Sequence, residues 1–134
     1  MREILFRGKR TDNGEWVEGY YYKAKYCRTD DELCDYITVP HPKEYNEPSS
    51  HYIVNAETVG QYTGLKDKNG TKIFEGDIIL LRGDEEPYQV VYDNDLTSFI
   101  GRAGIKFTTF DYDSIEFEVV GNIYDNKLEG FNNG

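Results

Sequence analysis

Two cysteines and two histidines are the first residues in this chain that could bind a metal. All four are zinc-ligand types, and they follow one another at intervals of seven, seven and ten residues. Zinc knuckles place paired ligands two to four residues apart, so this spacing does not match one. We therefore predict no metal site and no cofactor. The four residues remain weak candidates: Cys27, Cys34, His41 and His51.

The same cysteines could act as a nucleophile or form a disulfide. A nucleophilic cysteine needs a histidine close in space and a depressed thiol pKa, and neither Cys27 nor Cys34 lies in a recognisable catalytic context. A reducing cytosol disfavours a disulfide between them. We expect two reduced, partly buried thiols.

Carboxylates are plentiful in the C-terminal half and could hold a divalent metal, as in metal-dependent nucleases. Glu116 and Glu118 share one face of a predicted strand and could meet Asp93 or Asp95 across a sheet. Alternating acids are also an ordinary means of keeping a sheet edge soluble. No phosphate-binding glycine loop and no Ser-His-Asp arrangement is evident, so no catalytic residue is predicted. The candidate acids are Asp93, Asp95, Asp111, Asp113, Glu116 and Glu118.

Aromatic side chains are a different kind of signal. Tyrosines cluster in a predicted long strand over residues 15–27, and one face of a strand cannot bury all of them. Tyrosine is enriched in protein interfaces because it offers contact area at a small entropic cost. These side chains either cover the second face of an N-terminal hairpin or form a surface for a partner or for self-association. The candidates are Trp16, Tyr20, Tyr21, Tyr22 and Tyr26.

The elements that position these residues are predicted to be strands, because 12 Tyr and 7 Phe favour sheet. Residues 2–10 and 15–27 predict an antiparallel hairpin, with Arg7, Lys9 and Arg10 at a solvated strand end. We expect a mostly β fold with little helix. In it, the C-terminal half forms a small SH3-like or partly open β-barrel, and the N-terminal hairpin packs against that barrel. The expected boundaries are a single domain over 1–126, with a hairpin lobe at about 1–62, a barrel-like lobe at about 63–125 and a frayed tail at 127–134.

The central stretch from Thr63 to Leu81 is interpreted as turns and core. Asn69-Gly70 predicts a two-residue hairpin turn, because glycine adopts positive φ freely and asparagine tolerates it. Glu75-Gly76-Asp77 predicts a second break. The apolar run Ile78–Leu81 that follows predicts a strand buried on both faces.

The string from Glu57 to Gly70, running into Ile73-Phe74-Glu75-Gly76-Asp77-Ile78, resembles the signature of the YopX family. The opening Met1–Arg7 and the segment Val120–Asn126 also fit, so the resemblance spans roughly residues 1–126. It implies a protein encoded by a phage or prophage, with no established biochemical activity and no agreed catalytic residues. Residues 26–50, which hold both cysteines, do not match the family pattern.

The net charge of -10, from 15 basic and 25 acidic residues, argues against direct nucleic-acid binding. Affinity for nucleic acid rests on Lys and Arg that neutralise phosphates. No apolar stretch approaches the ~20 residues that cross a bilayer, and the charged start lacks the apolar core of a signal peptide. We therefore expect no membrane contact and a location in the cytoplasm, which for a phage product is the host cytoplasm.

These observations favour a phage accessory protein that acts as a non-enzymatic interaction module for an unidentified protein partner, such as a host protein. The first alternative is an acidic nucleic-acid mimic that inhibits a host DNA-binding protein, which requires carboxylates arrayed at roughly phosphate spacing. The second is a metal-dependent hydrolase or nuclease, which requires a concave pocket with convergent polar groups. Self-association into a homo-oligomer is compatible with all three, because open strand edges and surplus tyrosine can gain stability by pairing.

Overall fold

A computed structural model describes residues 4–25, 33–40, 49–83, 86–110 and 117–125. Eleven strands lie in these ranges, and every pairing between them is antiparallel. They are β1 (Phe6–Lys9), β2 (Trp16–Ala24), β3 (Cys34–Val39), β4 (Ser50–Val54), β5 (Gly60–Lys66), β6 (Lys72–Phe74), β7 (Asp77–Leu81), β8 (Pro87–Asp93), β9 (Ser98–Ala103), β10 (Lys106–Thr109) and β11 (Phe117–Asn122).

The predicted mostly β fold with little helix is confirmed. The strands fall into one sheet of six and one of five. The helical structure in the described ranges is a single 3₁₀ turn, Ala56–Thr58. Within the same ranges, no helix has the length and apolar character needed to span a membrane.

The chain divides into two compact units, residues 1–61 and 62–134. In the first unit, the strands are hydrogen-bonded in the order β4-β3-β2-β1, and β1 also pairs with the first two residues of β5. Backbone bonds join the ends of β1 and β4: the Thr11 N–H donates to the Ile53 carbonyl (3.0 Å), and the Asn55 N–H donates to the Lys9 carbonyl (2.8 Å). These two strand ends therefore meet although β2 and β3 lie between them.

Two glycines allow the sheet to curve so that the ends of β1 and β4 meet. Gly8 and Gly19 lie on the same face of the sheet as the buried Ile37 and Val54. A Cβ atom on Gly8 would lie 3.0 Å from Val54 Cβ, and one on Gly19 would lie 2.1 Å from the Thr38 carbonyl oxygen. This inner face is therefore closely packed. The side chains that alternate with it along each strand form the outer face.

In the second unit, the rest of β5 pairs with β6, and five strands form a sheet in the order β10-β9-β8-β7-β11. This sheet is open, because its outer strands β10 and β11 are not paired with each other among the described residues. No barrel closes among the described strands, so of the two predicted forms of the barrel the structure agrees with the partly open one. The buried core comprises Ile73, Ile79, Tyr88, Val90, Phe99 and Phe117.

The two-residue turn predicted at Asn69-Gly70 is wrong. Strands β5 and β6 pair through Lys66 and Lys72, so the connecting loop is wider than two residues. A two-residue type I′ turn needs positive φ at both central residues, and of this pair only Gly70 has it, at 81°. Hydrogen bonds to Asp67, described below, close the wider loop.

The structure also has a turn at Glu75-Gly76, directly before β7. Gly76 has a φ of 94°, which glycine adopts without steric cost, and its N–H donates to the Val90 carbonyl (2.9 Å). In the apolar run that follows, Ile78 and Ile79 are buried, whereas Leu80 and Leu81 are half-buried. The predicted strand is present, and full burial holds for its first half. The predicted lobe boundaries and the packing of the hairpin on the barrel stay predictions, and the tail at 127–134 lies outside the described residues.

Candidate functional site

Strand β2 sorts the predicted aromatic residues onto two faces. Successive side chains of a strand alternate, so Trp16, Tyr20 and Tyr22 lie on one face and Tyr21 lies on the other. The cross-strand register identifies the residues that share the first face. We call this set the aromatic face; its members are Arg7, Lys9, Trp16, Glu18, Tyr20, Tyr22, Tyr36, Thr38, His51 and Ile53.

At one end of the aromatic face, two cations lie over Trp16. The guanidinium carbon of Arg7 is 4.7 Å from the ring centroid and the Lys9 Nζ is 5.6 Å from it, both within the range of a cation–π contact. The third basic residue of this segment, Arg10, lies 4.4 Å from the Tyr52 ring centroid. The segment is therefore more than a solvated strand end, because each cation packs on an aromatic ring.

The centre of the aromatic face is held by contacts within the protein. Tyr22 stacks on Tyr36, with ring centroids 5.1 Å apart and an interplanar angle of 11°. The hydroxyl oxygens of Tyr22 and Thr38 lie 3.0 and 2.9 Å from His51 Nδ1. These contacts fix the rings before any partner arrives, which lowers the entropic cost of binding.

Tyr20 and Ile53 supply the open apolar area of the aromatic face. Tyr20 is 59% exposed and Ile53 is 39% exposed. Ile53 is directly opposite Tyr36 in the register, and Tyr36 is directly opposite Tyr22. Apolar area of this kind, rimmed by polar groups, is typical of a surface that contacts another molecule.

Tyr21 has a structural role on the inner face. Its ring centroid is 5.5 Å from that of Phe6, and its hydroxyl donates to Asp35 Oδ1 at 2.5 Å. Burial, followed by the hydrogen bond to Asp35 and its charge, raises the pKa of Tyr21 to about 12. The structure therefore removes Tyr21 from the candidate surface, and Tyr26 lies outside the described residues.

The two zinc candidates that the structure describes are not adjacent. Cys34 is at the start of β3, whereas His51 pairs with Thr38, which lies four positions, or about 13 Å, further along the strand. Cys27 and His41 lie outside the described residues. Within the described ranges, no group of three or more His, Cys, Asp and Glu side chains could hold a metal ion.

The expectation of a reduced thiol is wrong for Cys34, which is disulfide-bonded. That expectation rested on an assumed reducing compartment, which is a property of the surroundings rather than of the chain. A sulfur in a disulfide is not a thiolate, so Cys34 in this form is neither a zinc ligand nor a nucleophile.

The candidate acid Asp93 is engaged within the protein. Its Oδ1 accepts the N–H groups of Asp95 and Leu96, both at 2.9 Å, and its Oδ2 lies 2.7 Å from Arg102. The Leu96 N–H in particular lowers the pKa of Asp93. Glu118 is likewise in an ion pair, because its Oε2 lies 3.7 Å from the Nζ of Lys68. Asp95 is exposed in the turn after β8. The other three candidates lie outside the described residues: Asp111, Asp113 and Glu116.

Asp67 is a key residue that sequence reasoning missed. It is 6% exposed, and it accepts backbone N–H groups from Asn69 (2.8 Å), Thr71 (2.9 Å) and Val119 (2.8 Å). Burial opposes its ionisation, but the N–H donors outweigh burial and lower the pKa of Asp67. Its position two residues before Asn69-Gly70 is the available signal, because aspartate often bonds the backbone of a turn that follows it.

Two more polar residues of the central stretch are buried and bonded to the backbone. The Thr63 hydroxyl donates to the Ile73 carbonyl (2.8 Å). Asp77 Oδ2 accepts the Phe74 N–H (2.7 Å). The central stretch is therefore structural, and the aromatic face remains as the candidate site, one suited to contact rather than to bond breaking.

A family model described as YopX protein matches residues 5–129. Among solved structures, the crystal structure of protein EF1440 from Enterococcus faecalis is similar, with a TM-score of 0.51 and 22% sequence identity, over 94% of this chain and 96% of that chain. At this identity the likeness concerns the fold alone. None of the curated proteins matches this chain.

Proposed function

This chain belongs to the YopX family, and we propose that it is a phage or prophage accessory protein that acts by binding another protein through the aromatic face. The observation that carries the proposal is the exposure of Tyr20 beside rings that are already fixed by contacts within the protein. An exposed ring such as that of Tyr20, beside a preorganised surface, binds a partner with little loss of conformational entropy. The proposed partner is a host protein.

The composition of the aromatic face suits this role. Tryptophan, tyrosine and arginine are the residues that most often dominate binding energy in interfaces, and the face contains Trp16, Tyr20 and Arg7 together. Arg7 and Lys9 add positive charge in a chain of net charge -10.

Affinity purification of the tagged protein from host cells, followed by mass spectrometry, tests the proposal. We expect one host protein to be recovered with the wild type and at least tenfold less of it with Tyr20→Thr, which keeps a residue that favours strands. Tyr92→Thr is the matched control, because Tyr92 is also a half-exposed strand tyrosine but lies in the second unit. Equal recovery with all three proteins would refute a role for the aromatic face.

The two alternatives draw less support. An acidic mimic needs carboxylates free to form a phosphate-like array, whereas Asp67, Asp77 and Asp93 accept backbone N–H groups instead. A metal-dependent hydrolase or nuclease needs a ligand cluster, and none lies within the described part of the chain. We therefore put neither forward.

A further inference from the structure

Two Asn-Gly pairs lie in exposed turns of the described chain. Asn13-Gly14 connects β1 to β2, and Asn69-Gly70 lies in the loop between β5 and β6. Asparagine is a thermally labile residue, and a following glycine presents a backbone nitrogen that no Cβ atom hinders. The sequence alone therefore gives both pairs the same chemical reactivity. A third pair, Asn133-Gly134, lies outside the described residues.

The reaction open to an Asn-Gly pair is deamidation, which consumes only water. The backbone nitrogen of the glycine attacks the side-chain carbonyl carbon of the asparagine, and a C–N bond forms. The side-chain NH2 takes up the proton that this nitrogen loses and leaves as ammonia. Water then opens the cyclic imide to give aspartate or isoaspartate. Negative charge develops on the side-chain oxygen during the attack, so an N–H donor at that oxygen lowers the barrier.

The β1–β2 turn presents the Asn13 side chain for this reaction. Its Oδ1 accepts the Glu15 N–H at 2.9 Å. A hydrogen bond from a side chain to the backbone two residues on folds the side-chain carbonyl back over the Asn13–Gly14 peptide. The same N–H is placed to stabilise the charge that develops on Oδ1. The turn therefore supplies both the approach of the two reacting groups and the donor.

The β5–β6 loop holds Asn69 differently. Its side-chain nitrogen lies 3.5 Å from Glu118 Oε1, so the amide is directed towards β11. The backbone on either side of Gly70 is tied to Asp67, whose Oδ1 accepts the N–H groups of Asn69 (2.8 Å) and Thr71 (2.9 Å). Asp67 is buried, and a buried carboxylate that loses donors is destabilised. Bending this loop into a cyclic imide therefore carries a cost that the β1–β2 turn does not have.

One further cost is the same at both pairs. The Gly14 N–H donates to the Arg10 carbonyl and the Gly70 N–H donates to the Asp67 carbonyl, each at 3.0 Å. Each glycine nitrogen must give up one such bond before it attacks. This cost cancels when the two rates are compared.

We propose that Asn13 is a site of spontaneous deamidation in the folded protein and that the fold protects Asn69 from the same reaction. The inference goes beyond the proposed function and does not depend on it. It assigns a covalent modification to a turn whose residues contribute nothing to the core.

The modification changes the end of the β1–β2 hairpin. Isoaspartate adds one carbon atom to the backbone of the turn, and either product adds one negative charge. The Arg10 N–H donates to the Glu15 carbonyl across this turn (2.9 Å), and Lys9 opposite Trp16 is the next pair along the strands. A longer turn disturbs this register, so the modified chain should be loosened at the Trp16 end of the aromatic face.

Peptide mapping by mass spectrometry, on the full chain kept folded in mildly alkaline buffer, tests the proposal. The product is recognised by the gain in mass when NH2 is replaced by OH. We expect deamidation at Asn13 to be at least about tenfold faster than at Asn69, because a single donor to the developing oxyanion is worth that much or more. Equal rates at the two residues, or no reaction at Asn13, would overturn the proposal.

The same chain unfolded in guanidinium chloride is the control. It has neither the Glu15 donor at Oδ1 nor the loop around Asp67, so Asn13 and Asn69 should react at similar rates. A difference that persists in the unfolded chain would assign the selectivity to neighbours in the sequence, and would also overturn a role for the fold.

Gly14→Ala tests the route of the reaction. The added Cβ has no neighbour within 4 Å, so the variant should fold, and thermal unfolding checks this. It hinders attack by the backbone nitrogen of residue 14, so deamidation at Asn13 should slow while the rate at Asn69 stays unchanged. An unchanged rate at Asn13 would show direct hydrolysis of the amide rather than the ring closure proposed here.

Discussion

Asp67 accepts N–H groups from its own loop and from β11, and Asp77 accepts one at the turn before β7. An ionised carboxylate has two acceptor oxygens and no donor, so it can serve several N–H groups at once. The amide of asparagine has the same shape but only one acceptor oxygen. This difference makes the charge of Asp67, rather than its volume, the property that matters.

Asp67→Asn should therefore destabilise the protein by about 1–3 kcal/mol, because the half-buried N–H group of Val119 or an N–H group of the loop loses its acceptor. Urea unfolding followed by circular dichroism measures the change in the free energy of unfolding. Asp95→Asn, at an exposed position of a turn, is the control and should change it by less than about 0.5 kcal/mol. Equal losses for the two variants would contradict a special role for Asp67.

The lowered pKa of Asp67 also predicts how its contribution depends on pH. The folded pKa lies below the unfolded value of about 3.9, so the stabilisation is fully present above that value and is lost as the pH falls through the folded pKa. The difference in the free energy of unfolding between wild type and Asp67→Asn should narrow as the pH falls below about 4. A constant difference down to about pH 2 would mean that the ionised form is not favoured by folding.

The disulfide at Cys34 predicts a simple chemical measurement. The chain has two cysteines, so the protein unfolded without reductant should show no reactive thiol, and the reduced protein should show two. Thiol titration with a chromogenic reagent measures both. Two thiols in the unreduced protein would show that the bond does not form, and would fit the expected reducing cytoplasm.

At the scale of elements, strand alternation was predictable and long-range contacts were not. The separation of Trp16, Tyr20 and Tyr22 from Tyr21 follows from the two-residue period of any strand, so it needs no knowledge of neighbours. The width of the loop after β5 depends on Asp67, whose third donor is 52 positions away. A prediction of turn geometry from neighbouring residues in the sequence cannot account for a donor that far away.

The aromatic face shows the same limit. Its members on β2 were candidates from the sequence, because their clustering is visible within one strand. The neighbours on β1 and β4, Arg7 and His51 among them, join the face through the register of other strands. Register depends on the pairing of whole strands, and the sequence of β2 alone does not contain it.

Gly19→Ala should be severely destabilising, because the new Cβ would lie 2.1 Å from the Thr38 carbonyl oxygen. A backbone atom cannot turn aside as a side chain can, so β2 and β3 would have to separate, at a cost of at least about 3 kcal/mol. Gly14→Ala is the control: its Cβ has no neighbour within 4 Å, but its φ is 73°, which costs about 1 kcal/mol. Thermal unfolding compares the two, and similar midpoints would contradict the close approach of the strands.

At the scale of the whole molecule, the acidic charge is unevenly divided. Residues 1–61 contain eight Lys and Arg against eleven Asp and Glu, whereas residues 62–134 contain seven against fourteen. The aromatic face therefore belongs to the less acidic unit. This division is fixed by composition and was available from the sequence once the boundary was known.

The net charge predicts that the protein does not bind duplex DNA. Fluorescence anisotropy of a labelled duplex should show no change with protein up to about 100 μM in about 0.15 M salt. Lowering the salt should not create binding, because repulsion between like charges grows as screening weakens. Anisotropy that rises as salt is lowered would instead indicate a basic site with a strong local field.

The hydrogen bond from the Val119 N–H to Asp67 joins a loop to a strand that the ribosome synthesises 52 residues later. A chain leaves the ribosome from its N-terminus, and β1 has its partners β2 and the start of β5 by residue 61. The loop around Asp67, in contrast, must wait for β11, the last of the described strands to be translated. A nascent chain stalled before Phe117 would therefore carry a first unit with all of its described strands and a second unit whose central loop has no β11 donor.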